Sequence, residues 1–435
     1  MHAVMQDLEY GPVTAADVGF LVEMLEIETV TPMETGAVSN APALLAKIAA
    51  YAEESGIETI LLEPPPSHLL SRPDVPRSVV EIVRKMGAGF LACQPNLQLV
   101  IGRPQGRRRT LMFNVHIDTV GGLFPVRRVG DRIFGRGVID AKGLIVPVVA
   151  GIRQAFAEAP ELADKVCILV QCVNGEEGGA MGVYGTRHLF EQGYYGALNI
   201  VVEPTDMRYF DRSTTSMTAR IRVNGAGSTD DEPQQGENAT VLLACLAHHL
   251  ARDLVPKIKA IGAKICIAGI HTGEMHNRVY GDGTLLINFA YPSADVSSQI
   301  EKLTADSLNA GLQRFRDEFA QSPVLANTAL AALRICKIEW LKRRLPVLDN
   351  RDAAMERVLT SAGVERHGDD ADDGRFTCDA MWLQADDAYT VVLGPAHLGR
   401  NRAHAEDEYV DVHQLQSFAE MVCRIVQAFA TRPSD

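Results

Sequence analysis

The chain has 435 residues, 46% of them hydrophobic and 22% charged, and a formal net charge of -13. One hydrophobic core stops growing near roughly 250–300 residues, so two domains are expected, in a water-soluble globular protein. The negative balance speaks against a nucleic-acid partner, and no run reaches the roughly 18–20 consecutive apolar residues of a membrane span.

The N-terminal stretch "MHAVMQDLEYG" lacks the basic start and apolar run of a signal peptide, so a cytoplasmic location is expected. A first helix starts near Thr14, where "TAAD" forms a capping-box pattern ahead of the apolar stripe Phe20, Leu21, Met24 and Leu25. A second covers about Ala41 to Ser55. Short apolar runs then alternate with helical stretches. "LQLVIG", "RTLMFNV", "VCILVQCV" and "ALNIVV" read as strands, and "GLIVPVVAGIRQAFAEA" and "VYGTRHLFEQG" as helices. The basic triplet Arg107 to Arg109, just before a strand, reads as a solvated loop. This alternation predicts an α/β domain, a mixed and mostly parallel sheet flanked by helices.

The pattern changes after about residue 210. "SMTARIRVNGAG" alternates with period two, "NATVLLACLAHHLARDL" is an amphipathic helix, and "KICIAGI" and "TLLINFAY" are strands. A long helix, "DVSSQIEKLTADSLNAGLQRF", and the strand "ALRICKIEW" follow. Strand–helix–strand–strand–helix–strand predicts an α+β unit over 211–342, inserted between catalytic segments 1–210 and 343–435. The acidic run at 368–374 reads as a solvated loop. Eight cysteines, none in a C-x-x-C spacing, read as reduced and mostly buried thiols, with only Cys93 and Cys378 in loop-like surroundings.

Distinctive polar residues follow the apolar runs of the first domain. His116 and Asp118 follow one run, Glu176 and Glu177 a second and Glu203 a third, and His404 comes a loop after "YTVVLG". Ligands of open α/β sheets bind outside the carboxyl ends of the strands, so these groups can converge there. Asp140 in "GRGVIDAKG" is a fifth candidate. Its carboxylate stands where a dinucleotide fingerprint needs glycine, and it would repel a pyrophosphate.

Two histidines and three carboxylates suit two zinc ions, with cobalt or manganese as substitutes. Two divalent ions, three carboxylates and one hydroxide sum to zero charge, which limits the cost of burial. Asp118 could accept the second ring N–H of His116. "VNGEEGG" (173–179) then makes sense. One of the paired glutamates binds metal and the other acts as general base, the glycine-rich turn pointing them apart.

With these motifs in place ("NVHIDTV", "GRGVIDAKG", "NGEEGG", "VVEPTD" and "AHAEDEYV"), the sequence resembles a metallopeptidase superfamily. That superfamily includes carboxypeptidase G, aminoacylase, acetylornithine deacetylase and succinyl-diaminopimelate desuccinylase. The resemblance runs from the first helix to the last. It implies that His116 and Glu203 hold one metal, Glu177 and His404 the other, Asp140 bridges them and Glu176 is the base. It also implies a cis peptide bond after Asp140 and a homodimer formed through the inserted lid.

The lid departs from the family pattern. Thr229 stands in the slot of a lid histidine, and Phe289 lies near the position of a lid arginine. Asn277 fits the lid asparagine, with His271 and His276 nearby. Asn277, His276 and Arg400 are therefore the substrate-binding candidates. The implied activity is hydrolysis of an amide in an N-acyl amino acid, dipeptide or related small molecule. The alternatives are a specialised substrate or an acyl or amide transfer, and a catalytically inactive binding protein.

Overall fold

A computed structural model describes residues 11–104, 106–368 and 375–433. The readings of the N-terminal stretch and the acidic run fall outside these residues, apart from Gly11 and Gly368. The chain divides into two compact units, Met1–Ser213 with Leu348–Asp435, and Thr214–Val347. The expected insertion spans 211–342, and the second unit spans Thr214–Val347.

The larger unit is built on a six-stranded sheet. Its order is Glu58–Glu63, Asn96–Gly102, Cys167–Val173, Thr110–His116, Leu198–Val201 and Tyr389–Val392. The last four strands run parallel, and the first two pair antiparallel at one edge. Side chains alternate across it, as the pleat requires. Leu111, Phe113 and Val115 enter one core with the helices Ala15–Leu25, Ala41–Glu54, Ile145–Glu158 and Val412–Thr431. Met112 enters a second core on the opposite face, with Cys167, Val201, Phe210 and Leu383. The first helix starts as its sequence predicts: Thr14 and Asp17 form a capping box.

The apolar strands also carry buried amides. Gln171 donates to Gln98 at 3.0 Å, and Asn114 donates to Gln171 at 2.9 Å and to the Thr186 hydroxyl at 3.0 Å. The Thr186 hydroxyl in turn donates to Asp379. This polar ladder crosses the sheet beneath its carboxyl edge. Several elements were not anticipated: the strand Glu58–Glu63, the helix Arg77–Met86, and a small sheet of Tyr409–Asp411, Arg132–Phe134 and Arg127–Val129. Arg107–Arg109 is a 3-10 turn with none of its residues buried, and Arg107 pairs with Asp387 at 2.6 Å. Cys93 and Cys378 are buried, and Cys266 is exposed. No helix among the described residues is long and apolar enough to cross a membrane.

The smaller unit is a four-stranded antiparallel sheet, ordered Lys264–His271, Asp282–Tyr291, Thr215–Asn224, Cys336–Lys342. The helices Ala239–Ala260 and Ala294–Phe319 cover one face, with Leu242, Leu246 and Leu250 packed on Ile221, Ile287 and Phe289. A helix not anticipated, Ala326–Ile335, precedes the last strand. Phe289 is fully buried, so its position belongs to this core.

In the larger unit the helices Ile145–Glu158 and Val412–Thr431 meet at Gly151, where a Cβ would run into the Ala419 carbonyl and Val422. Alanine gains about 1 kcal/mol of helix propensity over glycine, but overpacking against a backbone atom costs about 1–3 kcal/mol. Gly151→Ala is therefore expected to lower the urea midpoint of this unit. An unchanged or higher midpoint would contradict the close helix crossing.

Candidate metal centre

The carboxyl edge of the parallel strands brings together residues far apart in sequence. His116 ends its strand, Glu177 follows Cys167–Val173 by a tight turn, and Glu203 follows Leu198–Val201 by one residue. The turn depends on glycine. Gly175, Gly178 and Gly179 all have positive φ, and a Cβ on Gly175 would enter the Tyr184 ring.

Two triads result, His116–Asp140–Glu203 and Asp140–Glu177–His404, each with one candidate ligand atom per residue within 4.8 Å of the others. His116 Nε2 lies 3.0 Å from one Asp140 oxygen and 3.6 Å from Glu203. His404 Nε2 lies 3.1 Å from the other Asp140 oxygen and 3.1 Å from Glu177. Asp140 therefore offers one oxygen to each triad. Its peptide bond to Ala141 is cis, and beyond it the buried Lys142 ammonium donates to the Ile27 carbonyl at 2.7 Å.

Asp118 acts differently from the sequence expectation. The nearer acceptor for His116 Nδ1 is the Asp118 backbone carbonyl at 3.0 Å, while the carboxylate is 3.7 Å away. A carbonyl only accepts, so in the neutral ring the proton sits on Nδ1 and Nε2 presents its lone pair to Asp140 and Glu203. The Asp118 carboxylate accepts the backbone N–H groups of Glu177 at 3.1 Å and Glu176 at 3.4 Å. It holds the paired-glutamate turn against the histidine strand.

The electrostatics describe a site crowded with negative charge. Burial pushes the carboxyls of Glu176 and Glu203 well above the usual range, and that of Glu177 upward. Hydrogen bonds to Asp140 and Glu177 raise His404 to about 11. Burial opposes protonation of His116, but Glu203, Asp118 and Asp140 outweigh it and raise that group too. Asp379, unnoticed in the sequence, adds another buried carboxyl whose Oδ1 has no partner among the described residues. Burial pushes it upward as well. Six carboxyl groups, Asp118, Asp140, Glu176, Glu177, Glu203 and Asp379, gather around two imidazoles, and the three in the triads together with both imidazoles have the chemistry to hold two divalent cations. Glu176 belongs to neither triad, yet it feels the charges of His116, Glu177 and Glu203.

The substrate-binding candidates are more scattered. Arg400 pairs with Asp206 beside a hollow of about 340 Å³ that Pro204, Phe210, Phe376 and His397 help line. Asn277, His276, His271 and Thr229 lie in the smaller unit and are exposed. There Thr229 pairs across a short ladder with Arg278, next to Asn277.

Asp118→Ala removes the acceptor that ties the turn to the His116 strand. Affinity for a divalent metal ion is expected to fall about 10–100-fold, the usual cost of losing a group that orients a ligand. A chelator titration checks this, and wild-type affinity would show that the turn holds itself.

Residues 112–428 match peptidase family M20/M25/M40. The N-acetyl-L-citrulline deacetylase of Xanthomonas campestris is 25% identical, over 72% of this chain and 81% of that protein. The succinyl-diaminopimelate desuccinylase of Nitrosospira multiformis is 28% identical, over 67% and 73%. The crystal structure of an M20 family metallo-carboxypeptidase from Sulfolobus solfataricus superposes with a TM-score of 0.63 at 12% identity, covering 95% of this chain and 99% of that one. The chain belongs to peptidase family M20/M25/M40, whose reaction is amide-bond hydrolysis.

Proposed function

We propose that the protein is a two-zinc amidohydrolase that cleaves the amide bond of an N-acyl amino acid, a dipeptide or a related small molecule. One arrangement carries the reading: two triads share Asp140, and Glu176 lies beside both while belonging to neither. His116 and Glu203 would hold one ion, Glu177 and His404 the other, with Asp140 between them. Bound there, the ions would polarise the scissile carbonyl and make water more acidic.

The chain's own residues do the rest. Glu176 takes the proton of the attacking water and delivers it to the departing amine. Its backbone N–H, held by Asp118, keeps it in register with its metal-binding neighbour. His116 keeps its metal-facing lone pair because the Asp118 carbonyl holds the other ring proton. The relatives named for deacetylation and desuccinylation support an acylated amino acid as substrate. Free cysteines support a reducing cytoplasmic setting, and a homodimer through the inserted unit rests on the family resemblance alone.

A second reading is a specialised substrate, or acyl or amide transfer. Thr229 favours it, an exposed threonine where the family resemblance implies a histidine.

The adjacent glutamates give the test. Glu176→Gln is expected to keep both metals and lose turnover by ~10²–10⁴-fold or more on a panel of N-acyl amino acids and dipeptides. Glu177→Gln is expected to lower metal content. Exchanged phenotypes would reverse the two roles. A wild-type protein inactive on every amide in the panel would count against hydrolysis of this class.

A further inference from the structure

His404 lacks the support the other ligands have. Its side chain is 53% exposed. It sits at φ 66°, and Ala396 and Arg402 on the same loop also occupy the left-handed region. Its backbone is held instead by a buried guanidinium. Arg136 donates to the His404 carbonyl at 3.2 Å, to the Gly122 carbonyl at 3.2 Å and to Glu408 at 2.9 Å. Through its other oxygen, Glu408 accepts the N–H of Ile139 at 3.1 Å, the residue just before Asp140. The Arg136 and Glu408 side chains are 3% and 0% exposed.

The two charges emerge from one short ladder. Tyr409 pairs with Phe134, and the Gly135 N–H continues the pairing to the Glu408 carbonyl at 3.2 Å. A buried ion pair adds little net stability, because desolvation offsets the attraction. Its directional bonds do fix geometry, and here they join the loop of one metal ligand to the chain entering another.

We propose that Arg136 and Glu408 are positioning residues for the Asp140–Glu177–His404 triad, and that the His116–Asp140–Glu203 triad does not depend on them. The inference rests on the two-metal reading above. The asymmetry follows from what holds each ligand. His116 is buried on a central strand and tied to Asp118. Glu203 is buried beside the end of its strand, and Asp140 lies between the fully buried Ile139 and Ala141. His404 is the ligand whose own carbonyl the clamp holds, whereas the clamp reaches Asp140 only through the N–H of its buried neighbour Ile139.

Arg136→Lys keeps the charge and loses the fork. A second variant, Arg136→Met with Glu408→Gln, removes both charges of the pair together. Each is purified, checked for fold by circular dichroism and melting temperature, and titrated with zinc against a chelating dye. Wild type is expected to bind two zinc ions. Each folded variant is expected to keep one at wild-type affinity and bind the other about 10–100-fold more weakly, with near one zinc per chain after dialysis. Two sites of wild-type affinity in either folded variant overturn the inference, as does equal weakening of both. A wild type that binds no zinc overturns the two-metal reading and this inference with it.

Discussion

Asp140 has to satisfy two imidazoles at once. His116 meets one of its oxygens and His404 the other, at 3.0 and 3.1 Å, and three glutamates and Asp379 crowd the same edge. Burial alone would raise the Asp140 carboxyl, yet its contacts with the two imidazoles hold it below the usual carboxylate range. So many carboxyl groups in a low-dielectric pocket carry a large desolvation cost unless cations neutralise them. The rest of the larger unit serves that constraint. Parallel strands deliver ligands to one edge, a glycine turn separates two adjacent glutamates, and the polar ladder from Gln98 to Asp379 satisfies amides under the site.

Three of the candidate ligands, His116, Glu177 and Glu203, stood out in the sequence because they sit at the ends of apolar strands with a clear signature. Buried strands read as apolar runs, and a charged residue at their ends stands out. The capping box at Thr14 was legible for a similar reason, since it is a local pattern with local geometry. The supports were harder to read. Asp379 lies in a 3-10 turn after a stretch without periodicity, and only the tertiary fold brings it to Thr186. Gln98, Asn114 and Gln171 sit inside runs that averaged as apolar, so their ladder was invisible until the register of three strands was known.

Asp118 shows a different limit. Its spacing from His116 correctly suggested contact, but sequence could not say whether the carboxylate or the backbone carbonyl would face the ring. The fold uses both ends of the residue, the carbonyl for the histidine and the carboxylate for two amides of the glutamate turn. Arg136 and Glu408 lie within "GRGVIDAKG" and "AHAEDEYV", but a salt bridge spanning 272 positions leaves no local trace in the sequence. In the smaller unit, Phe289 was compared with a lid arginine, while its side chain packs into the core between sheet and helices.

If this negative cluster is a dinuclear metal centre, activity depends on the ions it holds. The most direct test is elemental analysis of protein purified without chelators, paired with activity before and after metal removal. Close to two zinc, cobalt or manganese ions per chain are expected, with loss of amide hydrolysis when they are stripped and recovery on adding zinc back. A metal-free wild-type protein that retains full activity would contradict that dependence.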